Sequence, residues 1–438
     1  MRIALIAISD TVHTSMHRRT FLAKSAAVSF LPVSTYCAST RTAEEAVSIA
    51  HEEIWSRFID DYGIMLDFAD YDGSVELPTP EECRLGKPNA LGWWTPIENG
   101  GFFNGLYLEA MLQRWKLTGE ESVAAKARRL VDGLLLLNSI SEVEGFVGRG
   151  VCTDGVSHYA MGSNDQTFPW IYGLWRFLES GMATEEEATK VKKRIIDLVE
   201  TIAAIDWMMP AEEPFGVRGG FLKNTFESAP RLLFTLRIMN QLTGDPKWLK
   251  KYQEALGEGE GKTRADFCEE GMKFEKHRHS WTAGNSVAAL RALWELEDDT
   301  TLKERFKKGI QSSVDVAMES FPLADKYPNN RDAAFNFDWK MMNAMWKPHS
   351  TEKEAVQLAM LQLREFRKTS PKRGLETTFV REPVFAAWIA TLEPDRDRLQ
   401  TRKKEISELL AKYDPSTMIF SQFFPMEIAW WRMKSELS

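Results

Sequence analysis

Apolar residues recur at three- and four-residue spacings along the chain from Thr42 onward, and polar loops separate these segments. Such spacing is typical of amphipathic helices that bury one face, and no convincing run of alternating residues indicates a strand. The pattern therefore predicts an all-α protein. The predicted helices are Ala43–Asp60, Gly101–Leu117, Glu121–Asn138, Gln166–Ser180, Glu185–Ile205, Phe226–Leu242, Pro246–Leu256, Trp281–Leu296, Leu302–Ser320, Asp332–Trp346, Thr351–Arg367, Phe379–Leu392, Arg396–Tyr413 and Pro425–Ser435.

The connections between these helices alternate in length. Short links follow six of the helices, and long links that carry Trp, Arg, His, Asp and Asn lead into the same six. Those six are also the more apolar, with small residues such as Gly105 and Gly173, whereas their partners carry Lys, Arg and Glu on one face. Such hairpins predict an inner and an outer ring of helices, an (α/α)6 toroid, and Pro425–Ser435 leaves a seventh pair open. The six helices are Gly101–Leu117, Gln166–Ser180, Phe226–Leu242, Trp281–Leu296, Asp332–Trp346 and Phe379–Leu392.

An internal repeat agrees with this organisation. Leu-Thr-Gly-Glu at Thr118 and Leu-Thr-Gly-Asp at Thr243 each close one apolar helix and open the next, and they lie 243 − 118 = 125 residues apart. In such a turn the Gly takes the left-handed conformation that ends a helix, and the acid stabilises the start of the following one. The repeat therefore predicts stacked hairpins or a closed ring.

Composition narrows the classes of function. The chain has 438 residues, of which 44% are hydrophobic, and its net charge of −8 does not indicate a nucleic-acid or anionic-membrane surface. Cys83, Cys152 and Cys268 are too widely spaced to predict a disulfide framework or a metal cluster. The sequence contains no phosphate-binding loop, dinucleotide fingerprint or Gly-x-Ser-x-Gly elbow, so we predict no cofactor and no metal. The oligomeric state stays open.

The first 39 residues have the pattern of an export signal rather than of the fold. The basic string His17–Lys24 precedes an apolar run, Ala26–Tyr36, and small residues follow it. The run is too short to cross a bilayer, and the string resembles a twin-arginine signal, which directs the export of folded proteins. We expect residues 1–39 to be removed, residues 40–438 to form one catalytic domain, and the mature protein to be periplasmic or extracellular and free of the membrane. Met16 leaves open that residues 1–15 precede the true start.

Several strings resemble one family. The helix pairs that end in LTG(D/E), the GFFNGLYLEA helix and the SNDQTFPWIYGLW helix are similar to the six-hairpin glycosidase superfamily, with the unsaturated glucuronyl hydrolases and related bacterial uronic-acid-active proteins nearest. The resemblance spans roughly Trp93 to Trp431 and is one of pattern. It implies a glycoside hydrolase of polysaccharide degradation that acts on uronic-acid-bearing oligosaccharides, with one pocket where the inner helices begin.

Three carboxyl groups lie at the predicted starts of inner helices and are candidates for catalysis. Glycosidic cleavage needs a proton donor and usually a second carboxylate. Asp165 is the first choice, because Phe168 and Trp170 surround it with aromatic side chains and because it can also cap its helix. Glu98 follows a Trp pair, and Glu227 follows a Gly-rich approach; both are equally interpretable as first-turn acids.

Other polar residues are candidates for substrate binding. Arg149 and Arg218 lie beside glycines, and if the substrate is a uronic acid they are its expected anchors, because Arg holds a carboxylate through two hydrogen bonds. Asp154 and His158 share the long polar loop before Asp165, although Thr-Asp-Gly is also a common turn. His279 is expected to donate or accept hydrogen bonds in the pocket. Trp94, Trp281 and Trp339 are candidate sugar platforms, together with Trp93.

Two other functions remain open at this point. A sugar epimerase of the acylglucosamine type shares the toroid and uses histidines as acid and base, which would be His158 and His279. A glycan-binding protein without catalysis would keep the Trp residues and tolerate loss of the acids.

Overall fold

The helical pattern of the sequence is confirmed by a computed structural model, which describes residues 41–273 and 280–438. This part of the chain is all-α apart from one short hairpin. The helices are α1 Ala43–Glu53, α2 Pro80–Leu85, α3 Gly100–Thr118, α4 Glu121–Leu137, α5 Asn164–Glu179, α6 Glu185–Ala204, α7 Ala229–Thr243, α8 Pro246–Gly257, α9 Arg264–Glu270, α10 Ser280–Leu296, α11 Thr300–Met318, α12 Glu352–Thr369, α13 Pro371–Glu376, α14 Glu382–Thr391, α15 Arg396–Ala411 and α16 Pro425–Leu437.

Wider and tighter turns flank some of these helices. A π-helical turn, Ile54–Phe58, follows α1, and a second one, Thr377–Arg381, joins α13 to α14 without a break. The hairpin that the sequence did not predict consists of β1, Met208–Pro210, and β2, Val217–Gly220, which pair antiparallel. The short helices α2 and α9 were also not predicted.

The prediction of an α-helix over Asp332–Trp346 is wrong. Only Trp339–Met345 is helical there, and it is a 3₁₀ turn. Aromatic residues at every second position, Phe335, Phe337 and Trp339, pack into one cluster beneath α12, and a helix would turn them to different sides. Together with Pro425–Ser435, the sequence offered seven candidate helices for the inner ring. Removing Asp332–Trp346 leaves six of them.

Neighbouring helices pack in a regular order. Helix α3 contacts α4, α5 and α16; α16 contacts α14; α14 contacts α10; and α10 contacts α7. The more polar helices lie against these: α6 on α5, α8 on α7, α11 on α10 and α14, and α15 and α1 on each other and on α16. The apolar helices therefore contact one another in this order, and each also contacts at least one of the more polar helices.

Helices α3 and α5 approach each other closely, and glycine makes this contact possible. A Cβ atom placed on Gly105 would lie 2.1 Å from the carbonyl oxygen of Pro169, and one on Gly173 would lie 2.3 Å from that of Gly105. No side chain fits at such distances, so both positions need glycine for the two backbones to touch.

A buried ionic network joins the C-terminal parts of four helices. Arg432 of α16 donates to Glu109 of α3 at 2.5 Å, Arg176 of α5 donates to Glu295 of α10 at 2.6 Å, and Arg291 of α10 also donates to Glu295. Buried charges are tolerated when each one has a partner, and here they connect α3, α5, α10 and α16.

Residues Arg41 to Ser438 form one compact unit. Its first helix begins with a capping box, in which Thr42 and Glu45 bond each other's backbone N–H groups. None of the described helices combines the length and apolarity that a bilayer crossing requires. The predicted export signal, residues 1–39, lies outside the described residues.

Candidate functional site

The N-terminal ends of the apolar helices meet one another through polar contacts. Asp165, in the first turn of α5, forms an ion pair of 3.0 Å with Arg231 of α7. Arg231 also donates to the carbonyl oxygen of Thr282 in α10. The N–H of Ser280, at the start of α10, donates to Glu382 of α14 at 2.8 Å. Four helices therefore present their first turns to a common region, which we call the candidate site.

Glu98 reaches this region from the turn that precedes α3. Its Oε2 atom accepts a hydrogen bond of 2.7 Å from the N–H of Trp94, whose φ of 73° is unusual for a bulky residue and holds the turn tightly wound. The other carboxylate oxygen has no hydrogen-bond partner among residues 41–273 and 280–438, and the side chain is half-buried. One oxygen of Glu98 is thus oriented by the backbone, and the other is available to a ligand.

Asp67 is a carboxyl group that the sequence did not single out. It is buried, and it accepts hydrogen bonds from the backbone N–H of Asn99 at 2.7 Å and from the Asn99 side chain at 2.6 Å. Burial raises the pKa of Asp67 well above its usual range, and the negative charge of Glu98 raises it further, against the opposing effect of Asn99 and Arg149. Asp67 and Glu98 are therefore two neighbouring carboxyl groups, and the charged form of the buried one, Asp67, is disfavoured.

Three arginines lie over indole rings beside this pair. A guanidinium that stacks on an aromatic face is held in orientation by the cation–π interaction, while its N–H edge stays free to bind an anion. The pairs, with the distance from Cζ to the ring centroid, are Arg373 over Trp94 at 4.7 Å, Arg381 over Trp281 at 4.5 Å and Arg218 over Trp93 at 5.6 Å. The tryptophans predicted as sugar platforms thus hold arginines in this structure.

These arginines keep unused donors. Within the part of the chain that the structure describes, the Arg373 guanidinium makes no hydrogen bond, and the Nε atoms of Arg218 and Arg381 are buried without a hydrogen-bond partner. Burial lowers the pKa of Arg373 to about 10, and the nearby Glu98 opposes this shift. Buried donors without partners are uncommon, and they indicate a place where a ligand or water is bound.

The β-hairpin brings Arg218 to the start of α5. A Cβ atom on Gly219 would lie 2.3 Å from Oδ1 of Asn164, so the hairpin can pack there only with glycine, whose φ is +73°. Arg218 donates to the carbonyl oxygen of Gly162 at 3.0 Å, and its Nε lies 3.5 Å from Glu352 of α12. Arg218 therefore connects the loop before α5 to α12.

Arg149, which was predicted as an anchor, has its donors in use. Its Nε donates to the carbonyl oxygen of Met161 at 2.9 Å, Nη1 donates to that of Glu98 at 2.9 Å, and Nη2 reaches Ser163 Oγ at 3.2 Å. Burial lowers the pKa of Arg149 to about 9, and the positive charge of Arg218 adds to the shift. Arg149 therefore fixes the turn that carries Glu98.

Asp165 lies where the sequence placed it, with a different set of contacts. Ser163 is the N-cap of α5, and Asp165 belongs to the first turn. Its side chain is 43% exposed, whereas its partner Arg231 is 2% exposed. The ion pair of 3.0 Å therefore joins a partly exposed carboxyl group to a buried guanidinium, and Arg231 fixes the position of the Asp165 side chain.

Three of the other predicted residues lie away from these contacts. Asp154 is an exposed residue of a turn. The little burial it has acts to raise its pKa, but hydrogen bonds from Ser157 and Val156 lower the pKa below its usual range. Glu227 is exposed just before α7, and only its carbonyl oxygen is bonded, by Ser286. Trp339 is fully buried, with its indole N–H bonded to the carbonyl of Glu76 at 2.6 Å; it is a core residue and offers no face to a sugar.

Both ring nitrogens of His158 are occupied. Nδ1 contacts the carbonyl oxygen of Val156 at 2.8 Å, and Nε2 contacts Glu212 at 3.1 Å. Burial acts to lower the pKa of His158, but the hydrogen bonds to Glu212 and Val156 and the nearby negative charges together outweigh it and raise the pKa. His279 lies outside the described residues. In residues 41–273 and 280–438 no three His, Cys, Asp or Glu side chains are arranged to hold a metal ion.

No family model, no curated protein and no solved structure matches this chain.

Proposed function

We propose that the domain from residue 40 to residue 438 is an (α/α)6 toroid with α3, α5, α7, α10, α14 and α16 as its inner ring. The packing of α3 on α5 and α16, of α16 on α14, of α14 on α10 and of α10 on α7 supports this order, and the Asp165–Arg231 ion pair joins α5 to α7. The partners in the outer ring are α1, α4, α6, α8, α11 and α15.

We propose further that the protein is a glycoside hydrolase of uronic-acid-bearing oligosaccharides. The observation that carries this proposal is the set of unused guanidinium donors of Arg218, Arg373 and Arg381 beside Glu98. Arg149 and Arg231 bring the arginines to five, against the four carboxyl groups of Glu98, Asp165, Glu352 and Glu382, while burial raises the pKa of Asp67 well above its usual range. The arginines therefore outnumber these four carboxyl groups by 5 − 4 = 1, and their buried donors suit a substrate that carries carboxylates.

The residues divide into binding and catalytic roles. Arg373, which has no partner of its own, binds the uronate carboxylate through its N–H edge. Glu98, whose second oxygen has no hydrogen-bond partner in the described chain, acts as the general acid and gives its proton to the glycosidic oxygen as the bond to the sugar carbon breaks. Asp165, which is paired with Arg231, acts as the general base and takes a proton from the water whose oxygen bonds to the sugar carbon.

The experiment compares hydrolysis of a uronate oligosaccharide with that of the same oligosaccharide after its carboxyl groups are reduced to alcohols. Glu98→Gln and Asp165→Asn are expected to lower kcat by about 10²- to 10⁴-fold without unfolding the protein. Arg373→Met is expected to raise KM for the uronate substrate by roughly 10- to 100-fold and to leave the neutral substrate nearly unchanged. Arg84→Met, on the surface of α2, is the matched control.

The outcomes separate the functions. Release of reducing ends from uronate substrates, lost in Glu98→Gln, supports the hydrolase. Tight binding of uronates without turnover would instead assign a glycan-binding protein, and equal activity on both substrates would refute carboxylate recognition. For an epimerase, the geometry offers no free nitrogen on His158.

Export of the folded protein is proposed from the leader sequence alone. The basic string with Arg18 and Arg19 precedes the apolar run Ala26–Tyr36. Fusion of residues 1–40 to a folded reporter is expected to deliver it across the inner membrane of a bacterium with a twin-arginine pathway. Replacing Arg18 and Arg19 with lysine should abolish delivery; delivery that persists would refute the assignment.

A further inference from the structure

Two of the buried cysteines belong to the same small apolar cluster. Cys83 lies in α2 and is 4% exposed, and Cys152 lies in the polar loop before α5 and is fully buried. Leu66, Ile97 and Tyr159 complete this cluster, which is separate from the main core. The two cysteines are 152 − 83 = 69 residues apart in the chain, so only the fold brings them together.

Hydrogen bonds hold the two segments that carry these cysteines side by side. The N–H of Thr153, which directly follows the second cysteine, donates to the carbonyl oxygen of Pro78 at 3.3 Å. The hydroxyl of Tyr159 donates to the carbonyl oxygen of Lys87 at 2.5 Å. Because Cys83 lies between Pro78 and Lys87 in the chain, its segment is joined to the loop on both sides of the thiol.

The two thiols contact each other. The Cys83 thiol donates a hydrogen bond to the sulfur of Cys152, and the Cys152 thiol donates to Oδ1 of Asp154 at 3.2 Å. Since the two sulfurs already meet, we expect small rotations of the two side chains to bring them to bonding distance.

The electrostatic surroundings do not favour the reduced form of this pair. A pair of cysteines is easily reduced when its surroundings stabilise one thiolate and so lower the pKa of that thiol. Here burial raises the pKa of both thiols above the usual range, and the neighbouring Cys152 adds to the rise for Cys83. A disulfide between them would therefore resist reduction once it had formed.

We propose that Cys83 and Cys152 form an intramolecular disulfide when the protein meets a disulfide oxidant. The thiolate of one cysteine attacks a sulfur of the oxidant and displaces half of it as a thiolate, which leaves a mixed disulfide on the protein. The thiolate of the second cysteine then attacks the protein sulfur of that mixed disulfide and displaces the other half. In total the two thiols lose two protons and two electrons, and one disulfide of the oxidant becomes two thiols.

The position of the pair and the proposed export agree with this chemistry. Cys152 lies beneath the exposed turn that contains Thr153 and Asp154, so opening of this turn gives an oxidant access to the sulfurs. Disulfides form and persist in the periplasm and outside the cell, which are the compartments of the proposed export. The proposal does not depend on the proposed hydrolase activity.

The cross-link would constrain a large part of the fold. The ring that it closes contains Glu98 and the helices α3 and α4. A disulfide restricts the unfolded chain more strongly as the ring that it closes becomes longer, so a ring of about 70 residues is expected to stabilise the protein. The bond would also anchor the loop close to Arg149, which fixes the turn that carries Glu98.

Mass spectrometry after oxidation tests the pairing directly. The folded full-length protein is incubated with oxidised glutathione, unfolded in an excess of a thiol-alkylating reagent and digested with trypsin without reduction. Peptides 58–84 and 150–176, which contain the two cysteines, are expected to be joined with the loss of two hydrogen atoms. Peptide 265–273, which contains Cys268 from the main core, is expected to be alkylated and serves as the internal control.

The same digest gives the contrary result unambiguously. If both peptides are alkylated separately, or if each carries glutathione without being joined to the other, the proposal is overturned.

Melting curves with and without a reducing agent measure the effect of the bond. The oxidised wild type is expected to melt roughly 5 °C above the reduced wild type. Cys83→Ala and Cys152→Ala should lose this dependence on the reducing agent, whereas Cys268→Ala, at an equally buried position, should keep it. A wild type that melts at the same temperature in both conditions, or an equal shift in Cys83→Ala, would overturn the proposal.

Discussion

Glu376 allows a prediction that does not depend on any assignment of function. Its carboxyl group is buried in α13 and accepts hydrogen bonds from the N–H groups of Ile419 at 3.1 Å and Phe420 at 3.0 Å. Lys372 is the nearest cation, with its Nζ 3.8 Å away, and it is equally buried. Burial raises the pKa of Glu376 to about 7, although these partners oppose the shift.

The sign of the pH dependence follows from this raised pKa. Between the usual value of 4.5 and about 7 the folded protein holds a proton on Glu376 that the unfolded chain has lost. The stabilisation from this group is therefore full below pH 4.5, declines as the pH rises towards about 7, and changes no further above it. The rise of this pKa from 4.5 to about 7 corresponds to about 3 kcal/mol of unfolding free energy between those two pH values.

The variant Glu376→Gln removes the titration and keeps the shape of the side chain. Its amide oxygen can still accept the two backbone hydrogen bonds, while Lys372 loses a charged partner. The unfolding free energy at any one pH therefore differs between the two proteins for more than one reason. The informative quantity is the slope of the unfolding free energy against pH. We expect the wild type to lose about 3 kcal/mol more than the variant between pH 4.5 and pH 7.5.

Urea unfolding at half-unit steps of pH, for both proteins, measures this difference directly. Glu44→Gln, on the exposed face of α1, is the control for the effect of removing one carboxyl group from the surface. If the two unfolding curves of wild type and Glu376→Gln run parallel over the whole pH range, the burial argument for Glu376 is refuted.

Gly105→Ala is expected to destabilise the protein by at least about 3 kcal/mol in urea unfolding, because its Cβ would overlap the backbone of α5. Gly374→Ala is the control: this position in α13 has open space around it, so the variant should be neutral or stabilise the protein by up to about 1 kcal/mol. Equal effects of the two would argue against the close contact of α3 and α5. Arg432→Met should cost about 3–5 kcal/mol because it leaves Glu109 buried without its cation, and adding Glu109→Gln should recover part of that loss. Asp67→Asn should change the pH–rate profile on uronate substrates, since it removes the buried carboxyl group beside Glu98, whose pKa is raised well above its usual range; an unchanged profile would remove Asp67 from the mechanism.

The sequence predicted most helices because their periodicity is local. The prediction of Glu121–Asn138 differs from α4 by one residue, since an acid after the Leu-Thr-Gly turn opens the helix and the apolar spacing continues to its end. The segment Asp332–Trp346 does not form the predicted α-helix, because its aromatic residues recur at an interval of two, which a helix cannot place on one face. The strands β1 and β2 are too short to produce a detectable alternation.

The candidate site was predicted only in the parts that local signals mark. Glu98 stands out because it follows a Trp pair, and Arg218 stands out because glycines lie on both sides of it. Both belong to the candidate site. Asp67 and Arg373 carry no such mark, and their roles arise from segments far apart in the chain: Arg373 lies over Trp94, which is 373 − 94 = 279 residues earlier. Only the folded chain brings these groups together.

The two ends of the apolar helices differ in how their arginines are neutralised, and this difference argues that only one end binds an anion. At the C-terminal ends, Arg176, Arg291 and Arg432 each have a carboxylate within 3.0 Å, so a further anion would have to displace a buried partner. At the N-terminal ends, Arg373 has no carboxylate partner in the described chain, and Arg381 has only a contact of 3.4 Å with its neighbour in sequence. The N-terminal ends of helices also carry the positive end of the dipole, which adds to the attraction. This difference favours the N-terminal ends as the place where the proposed uronate substrate binds, although Nη2 of Arg176 at the opposite ends is also buried without a hydrogen-bond partner in the described chain.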